Sequence, residues 1–180
     1  MKNFFIGVIF TAVVIIAAGS FMAKQGYVSV EADQPLPAFE KKFAMWAVDA
    51  SVDRHAPNLK NPMQPTDENL VEGAKIYLSH CAGCHGLPSN PDSQFGRSFF
   101  PPVPQFFKDA PDMPDNQNFY ITQHGIRWTG MPAWSKTLNE QQIWTVVTFL
   151  SRVEKLPPAA QNVLESPAPA SGVATAPKTR

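Results

Sequence analysis

Cys81-Ala82-Gly83-Cys84-His85 is the stretch of this sequence that decides its fold, and it holds the only two cysteines among 180 residues. The spacing places two thiols about one helical turn apart, with a histidine directly after the second. In this arrangement each thiol can form a thioether with one vinyl group of a haem, and His85 is delivered under the ring to bind the iron. The pentapeptide therefore predicts one covalently attached haem c.

Other uses of a C-x-x-C spacing fit this chain poorly. Two cysteines do not make a disulfide framework. A thioredoxin-like dithiol is expected beside a βαβ unit, and the sequence shows no strand pattern of that kind. A structural zinc site needs four ligands. The chain offers two thiols and four histidines, and it has no second C-x-x-C.

The N-terminal segment is apolar enough to enter a membrane. Phe4 to Met22 is a run of 19 residues without a charge, flanked by Lys2 and Lys24. At about 1.5 Å per residue the run reaches about 28 Å, close to the hydrocarbon thickness of a bilayer. The apolar region of a signal peptide is usually shorter. We therefore expect residues 1–23 to be an uncleaved transmembrane anchor, with a cleaved signal peptide as the alternative.

Two further segments flank the central part of the chain. Residues 24–65 are interpreted as a membrane-proximal connector with a short amphipathic helix within residues 37–54. The apolar side chains of that helix are Phe39, Phe43, Trp46, Ala47 and Ala50. We expect this face to pack on the following domain, the common fate of such stripes, with docking to a partner as the alternative. Residues 157–180, rich in proline and alanine, are predicted to be disordered.

Residues 66–156 show the helical patterns of one folded domain, which places the chain in the all-α class. The first helix is predicted to start near Asp67 and Glu68, acids that suit a helix N-terminus. A loop over residues 86–115 follows and contains seven prolines. A short helix is then expected over residues 116–124.

The last helix of this domain has the clearest sequence signals. Thr137 and Glu140 form a candidate capping box. Apolar residues then recur at helical spacing. They are Ile143, Val146, Val147 and Leu150. Gly73 in the first helix is expected to admit a large side chain of this last helix, Trp144 or Phe149, close to its backbone.

These features together resemble the class I cytochrome c family over about residues 66–153. The motifs that carry the resemblance are Gly73-to-Tyr77 with Cys81–His85, the Pro101-Pro102 loop, Gly130-Met131-Pro132-Ala133-Trp134, and a final helix with Trp144 and Phe149. The resemblance implies a cytochrome c-like fold of three main helices around one haem. It also implies electron transfer, in which no substrate is transformed.

The resemblance further implies His85 and Met131 as the axial ligands of the haem iron. Met131 lies in a Gly-Met-Pro turn before the final helix, where the family places its ligand, and a thioether ligand raises the reduction potential. Met113 is the competing methionine. His55 and His124 are the rivals that would make a bis-histidine haem, although surface roles suit both better.

One hydrogen bond to the axial histidine and two contacts to the haem are also expected. In the family the axial histidine donates its other ring N–H to a proline carbonyl, for which Pro101 or Pro102 is the counterpart here. Arg127 and Trp128, just before the methionine turn, are candidates to donate hydrogen bonds to a haem propionate. The aromatic, proline-rich stretch 95–107 is expected to shield the haem edge, with partner contact as the alternative.

The expected function is electron transfer at a bacterial inner membrane. Haem is attached to c-type proteins outside the cytoplasm, so a single-pass protein with its haem domain in the periplasm is predicted. The expected donor is a quinol-oxidising complex or a dehydrogenase, and the expected acceptor is an oxidase or reductase. No small-molecule substrate is expected. The balance of 15 basic and 15 acidic residues argues against nucleic-acid binding.

Two other functions stay open at this point. The anchor, connector and tail would also suit a fixed haem subunit of a larger membrane redox complex, in which an obligate interface buries much apolar surface. A haem enzyme or gas sensor would need an open or labile sixth coordination position. The candidate ligand Met131 argues against that alternative.

Overall fold

The computed structural model describes residues 1–35 and 37–166, which divide into two compact units, Met1–Gln34 and a second unit that begins at Pro35. These residues form eight α-helices, one 3-10 helix (Trp134–Lys136) and no strand beyond an isolated bridge between Leu87 and Asn90. The α-helices are α1 (Lys2–Lys24), α2 (Ala38–His55), α3 (Asp67–His80), α4 (Ala82–His85), α5 (Gln94–Arg97), α6 (Asp115–His124), α7 (Glu140–Leu150) and α8 (Pro158–Glu165). The all-α fold class predicted from the sequence is confirmed.

The first unit is dominated by α1, which spans 23 residues with a mean hydropathy of 2.5. None of its residues is buried within the described part of the chain. Its length and composition suit a single membrane span or a signal sequence.

The core of the second unit forms where α3 packs against α7 and α8. Helix α3 begins at the N-cap Thr66, whose hydroxyl accepts a hydrogen bond from the Asn69 amide. Its predicted inner face, Leu70, Ala74 and Tyr77, is buried. Helix α7 is buried continuously from Ile143 to Leu150. Burial of each large apolar side chain there contributes about 1.5–3 kcal/mol.

Close contact between α3 and α7 depends on Gly73. A Cβ atom at this position would lie 2.5 Å from Cβ of Phe149 and 2.8 Å from the carbonyl oxygen of Thr145. Real Cβ atoms do not approach other atoms so closely, so only glycine allows this crossing. The prediction that a large side chain of the last helix sits against Gly73 is correct for Phe149.

The N-terminus of α7 differs from the predicted capping box. The cap is Asn139, which accepts from the Gln142 amide while the Gln142 side chain accepts from the Asn139 amide, both at 2.9 Å. Thr137 instead donates its hydroxyl to the carbonyl of Trp134. Leu138 is buried ahead of the cap. The N-cap of α7 thus follows this buried leucine and lies two residues beyond Thr137, the predicted cap.

The segment after residue 156 also differs from the prediction of disorder. Pro158 to Glu165 form α8, which begins with proline at its first turn, a position where the missing amide costs nothing. Ala160 and Leu164 lie one turn apart and are fully buried in the main core. Ala160 and Leu164, with the partly buried Val163, therefore dock this short helix. Residues 167–180 of the predicted tail lie outside the described residues.

The connector helix α2 differs from the prediction that its apolar face packs on the domain. It is 18 residues long, and only Val52 near its C-terminal end is buried. The aromatic side chains Phe39, Phe43 and Trp46 are exposed, so the predicted packing of this stripe on the domain is wrong. Besides Val52, the connector joins the domain through the partly buried Met63 and through polar contacts. Asn61 donates to Asp115 at 2.8 Å and to Thr148 at 2.9 Å.

Replacing Gly73 with alanine is expected to lower the free energy of unfolding by about 1–3 kcal/mol, because the added methyl group would force α7 away from α3. The measurement is urea unfolding of the holoprotein. The matched control is Gly83→Ala, since no atom lies within 4 Å of a Cβ at Gly83. Equal unfolding midpoints for the two variants would contradict the proposed close contact.

Candidate haem-binding site

The candidate attachment residues are brought together at the end of α3. The Cys81 amide donates to the carbonyl of Tyr77 at 2.8 Å, which continues the helical hydrogen bonding into the motif. The amides of Cys84 and His85 then donate to the carbonyl of Cys81, at 3.1 and 2.9 Å. The resulting single turn, α4 together with its N-cap Cys81, carries both thiols and the imidazole.

The imidazole of His85 is held in one orientation by the loop that follows. Its Nδ1 lies 2.8 Å from the carbonyl oxygen of Pro104. The ring of Phe106 stacks on it, with the centroids 4.2 Å apart and the planes 9° from parallel. His85 is buried. Because Nδ1 is engaged, Nε2 is the ring nitrogen left to bind a metal.

The carbonyl that meets His85 corrects the sequence-based assignment. Pro101 and Pro102 were the expected acceptors, but the acceptor is Pro104. The loop turns at this point, since the Val103 amide donates to the carbonyl of Gly96 at 3.1 Å. Because of this turn, the carbonyl that reaches His85 is that of Pro104 and not that of Pro101 or Pro102.

Four consecutive carbonyl groups at the end of α4 are satisfied by tertiary contacts. A helix leaves its last carbonyls without partners, and buried ones must find donors elsewhere. The carbonyl of Gly83 accepts from the Ser93 hydroxyl at 2.7 Å, and that of Cys84 from the Gln105 side chain at 2.9 Å. The carbonyls of His85 and Gly86 accept from the Phe106 amide at 3.1 Å and the Tyr77 hydroxyl at 2.8 Å.

Gln105 is the hub of this arrangement. Its amide nitrogen donates to the carbonyls of Cys84 and Val103, both at 2.9 Å. Its amide oxygen accepts from the Ser93 backbone at 2.7 Å. One side chain thus ties α4, the start of α5 and the segment that contacts His85 into a single unit.

The electrostatic environment favours neutral side chains in the motif. Burial raises the pKa of the Cys81 thiol to about 12, with a further rise from Cys84, and burial also raises the pKa of Cys84. A redox or metal-binding dithiol needs the opposite, a lowered pKa that yields thiolate. Burial lowers the pKa of His85, against the smaller effect of its contact with Pro104. A neutral imidazole is the form that binds metals.

The turn that contains Met131 is held by its own hydrogen bonds. The Ile126 amide donates to the Met131 carbonyl at 3.1 Å, and the Met131 amide donates to the Thr129 hydroxyl at 3.1 Å. Gly125 has φ +68°, and a Cβ there would lie 2.6 Å from the Met131 carbonyl oxygen. Glycine is required because the backbone needs positive φ as well as this close approach. The backbone of Met131 is therefore fixed.

Two aromatic contacts connect the Met131 turn to other parts of the site. The ring of Trp134, three residues after Met131, meets the ring of His80 edge-on, with the centroids 5.3 Å apart. His80 directly precedes Cys81. On the other side, Gly130 lies against the ring of Phe99 in the loop after the motif. The methionine turn thus contacts the residue before Cys81 and the loop that follows His85.

The remaining predicted residues fall into two groups. Arg127 and Trp128 are exposed beside the Met131 turn, and Trp128 has φ +65°. His55 and His124 both lie against Tyr120, with ring centroids 6.5 and 4.7 Å from it. Both histidines are exposed, as predicted for surface residues.

Part of the stretch 95–107 packs inward. Phe107 meets Tyr77 edge-on at 5.8 Å and Phe106 covers His85, whereas Phe95 is exposed. Met113, the competing methionine, is half-buried, and its carbonyl accepts from Asn118 at 2.7 Å.

The comparison with known families identifies the class of protein. A family model described as cytochrome c oxidase, cbb3-type, subunit III matches residues 68–150, from the first turn of α3 to the end of α7. No curated protein and no solved structure matches the chain. The helical fold, the attachment turn and this match define a c-type cytochrome. The matched region is thus similar to a class I c-type cytochrome domain, which implies haem binding and electron transfer.

The residues of the site fit a haem. Within residues 1–35 and 37–166, no group of three or more His, Cys, Asp or Glu side chains could hold a metal ion alone. His85 offers one oriented ring nitrogen, which suits an iron that is also held by a macrocycle. The oriented imidazole and the two adjacent thiols agree with this chemistry.

Sequence reasoning missed Pro104, Gln105, Ser93 and Phe106. One signal was available for Gln105, which is the only amide side chain within the apolar, proline-rich run from Phe99 to Phe107. A polar side chain in such a run usually has a buried partner. The partners themselves are the Ser93 amide 12 residues away and the Cys84 carbonyl 21 residues away, and both depend on how the loop closes.

Replacing Gln105 with leucine is expected to destabilise the holoprotein by about 2 kcal/mol, because the Cys84 carbonyl and the Ser93 amide lose their partner. Urea unfolding followed at the haem absorbance measures the effect. Gln94→Leu, at an exposed position on α5, is the control. If both variants unfolded at the same urea concentration, the hub role of Gln105 would be excluded.

Proposed function

We propose that this protein is a membrane-anchored monohaem cytochrome c that carries single electrons on the periplasmic side of a bacterial inner membrane. One haem c is held by thioether bonds to Cys81 and Cys84. The observation that carries the proposal is the buried His85, whose Nδ1 is fixed on the Pro104 carbonyl while Nε2 is free to bind iron.

His85 and Met131 are the axial ligands in this proposal. When bound, the haem supplies a one-electron ferric/ferrous couple. The Pro104 carbonyl strengthens His85 as a donor and keeps its ring from rotating. The thioether of Met131, on a backbone fixed by Thr129 and Gly125, favours the ferrous state and raises the potential.

Arg127 and Trp128 are proposed to donate hydrogen bonds to a haem propionate. Both side chains are exposed next to the Met131 turn. The guanidinium group and the indole N–H are donors, and neither can accept a hydrogen bond. They therefore suit a propionate carboxylate, whereas His85 and Met131 are the proposed ligands of the iron.

The anchor and the partners complete the proposal. Helix α1 is retained as a single membrane span, and residues 24–65 connect it to the cytochrome domain. Electrons arrive from a quinol-oxidising complex or a dehydrogenase and leave to an oxidase or reductase. The protein changes the valence of iron and transforms no small-molecule substrate, so it is not an enzyme by itself.

Optical spectra of the holoprotein test the axial ligands. We expect a low-spin haem with the weak far-red band of thioether–iron ligation in the oxidised protein and no rapid reaction of the reduced protein with carbon monoxide. Met131→Ala should lose the band and bind carbon monoxide, because it opens the sixth position. Met113→Ala should keep the parent spectrum. A high-spin parent protein would refute Met131 ligation and favour a ligand-binding or enzymatic haem.

A second candidate is favoured by the matched family, whose description names a subunit of an oxidase. In this candidate the protein is a fixed haem subunit of a larger membrane complex. Extraction of native membranes in mild detergent, followed by size-exclusion chromatography at the haem wavelength, separates the two. A free carrier should elute alone in its micelle. Stable co-elution with other redox subunits would replace the free carrier with the subunit.

A further inference from the structure

The N-terminal half of α2 displays an aromatic stripe formed by Phe39, Phe43 and Trp46. Their exposed fractions are 80%, 58% and 65%. The ring centroids follow one another at 6.3 Å and 5.8 Å. Positions i, i+4 and i+7 share one side of a helix. Three large aromatic rings therefore form one continuous exposed patch, which soluble proteins rarely leave uncovered.

The stripe lies on the side of α2 that faces away from the cytochrome domain. Val48 is half-buried and Val52 is buried, and both lie about half a turn around the helix from the aromatic rings. Near the C-terminal end of α2, Asp53 accepts from Gln117 at 2.8 Å, and the carbonyl of Pro57 accepts from Asn116 at 3.0 Å. The packing face of α2 is thus already in use, and the stripe is a second, separate face.

The position of α2 in the chain indicates what covers the stripe. Residues 25–37 are the only residues between α1 and α2. Thirteen residues span at most about 45 Å even when fully extended. If α1 crosses the bilayer, the stripe is held permanently near the membrane surface. A tether of this length raises the effective concentration of that surface far above that of any free partner.

The composition of the stripe suits the boundary between lipid headgroups and acyl chains. Tryptophan and phenylalanine are the side chains that amphipathic helices insert at this depth. The nearby charges Glu40, Lys41 and Lys42 sum to +1. Such a small charge gives little attraction to anionic lipids, so the insertion of apolar rings must supply most of the binding.

We propose that α2 lies on the phospholipid bilayer with Phe39, Phe43 and Trp46 inserted into the interface, and that it orients the cytochrome domain relative to the membrane. The proposal goes beyond electron transfer and concerns residues outside the haem site. It depends on the retention of α1 as a membrane span. It does not depend on the identity of the axial ligands.

The test uses two matched cysteine variants of the full-length holoprotein in vesicles of phosphatidylcholine at a low ratio of protein to lipid. Ala50→Cys extends the line of the aromatic stripe, and Ala44→Cys lies about a third of a turn away from it. Both alanines are exposed. The rate of reaction with a charged, membrane-impermeant maleimide is measured for each and normalised to the rate in urea. The parent protein gives the background from Cys81 and Cys84, which the thioethers should block.

We expect the Ala50→Cys thiol to react about tenfold more slowly than the Ala44→Cys thiol, equivalent to about 1.4 kcal/mol in favour of the inserted state. The difference should persist with added phosphatidylglycerol, and it should vanish when all three aromatic residues are replaced by serine.

Equal rates in the parent background would overturn the proposal. Protection found only at a high ratio of protein to lipid would overturn it in favour of a second copy. A reactive parent protein would instead contradict the thioethers of the proposed function.

Discussion

The hydrogen bond from the His85 imidazole to the Pro104 carbonyl is the interaction on which the rest of the site depends. A histidine on a one-turn helix can rotate freely, and a rotating ring does not present a defined nitrogen to iron. The bond requires the chain to leave the motif, extend for 19 residues and return to the same ring. The contacts of Ser93, Gln105 and Phe106 with the end of α4 all support that return. Their common effect is to hold the imidazole that α4 carries at its last residue.

Hydrogen bonding to the backbone, more than apolar packing, organises this loop. The carbonyls from Gly83 to Gly86 each have a tertiary donor, and three of the four donors are side chains. Such bonds are directional, so they fix the path of a proline-rich segment that has little regular structure of its own. Apolar packing acts elsewhere, where α3 crosses α7 and the distance between the two helices is set by Gly73 and Phe149. This rigid helix pair supports the loop. The site thus joins a packed helix pair to a hydrogen-bonded loop.

The flanking segments are more closely integrated with the domain than their composition suggests. Asn61 donates to both Asp115 and Thr148, and the buried Leu164 brings the segment after residue 156 onto α3. Each attachment rests on a few residues within an otherwise polar stretch. The connector helix therefore has one end fixed on the domain while its aromatic face remains exposed. The proposed orientation of the domain on the membrane depends on this combination.

The sequence by itself was enough to predict the attachment motif, the apolar segment at the N-terminus, the all-α class and the buried face of α7. These features repeat within one or two helical turns, so short-range geometry is enough to read them. The tertiary structure decided that Pro104 and not Pro101 or Pro102 meets His85, that Asn139 caps α7, that α8 docks, and that the stripe on α2 is exposed. Each of these outcomes depends on which distant groups the closing chain brings within hydrogen-bonding or packing distance. That choice follows from the summed energy of many long-range contacts, which no local pattern of residues contains.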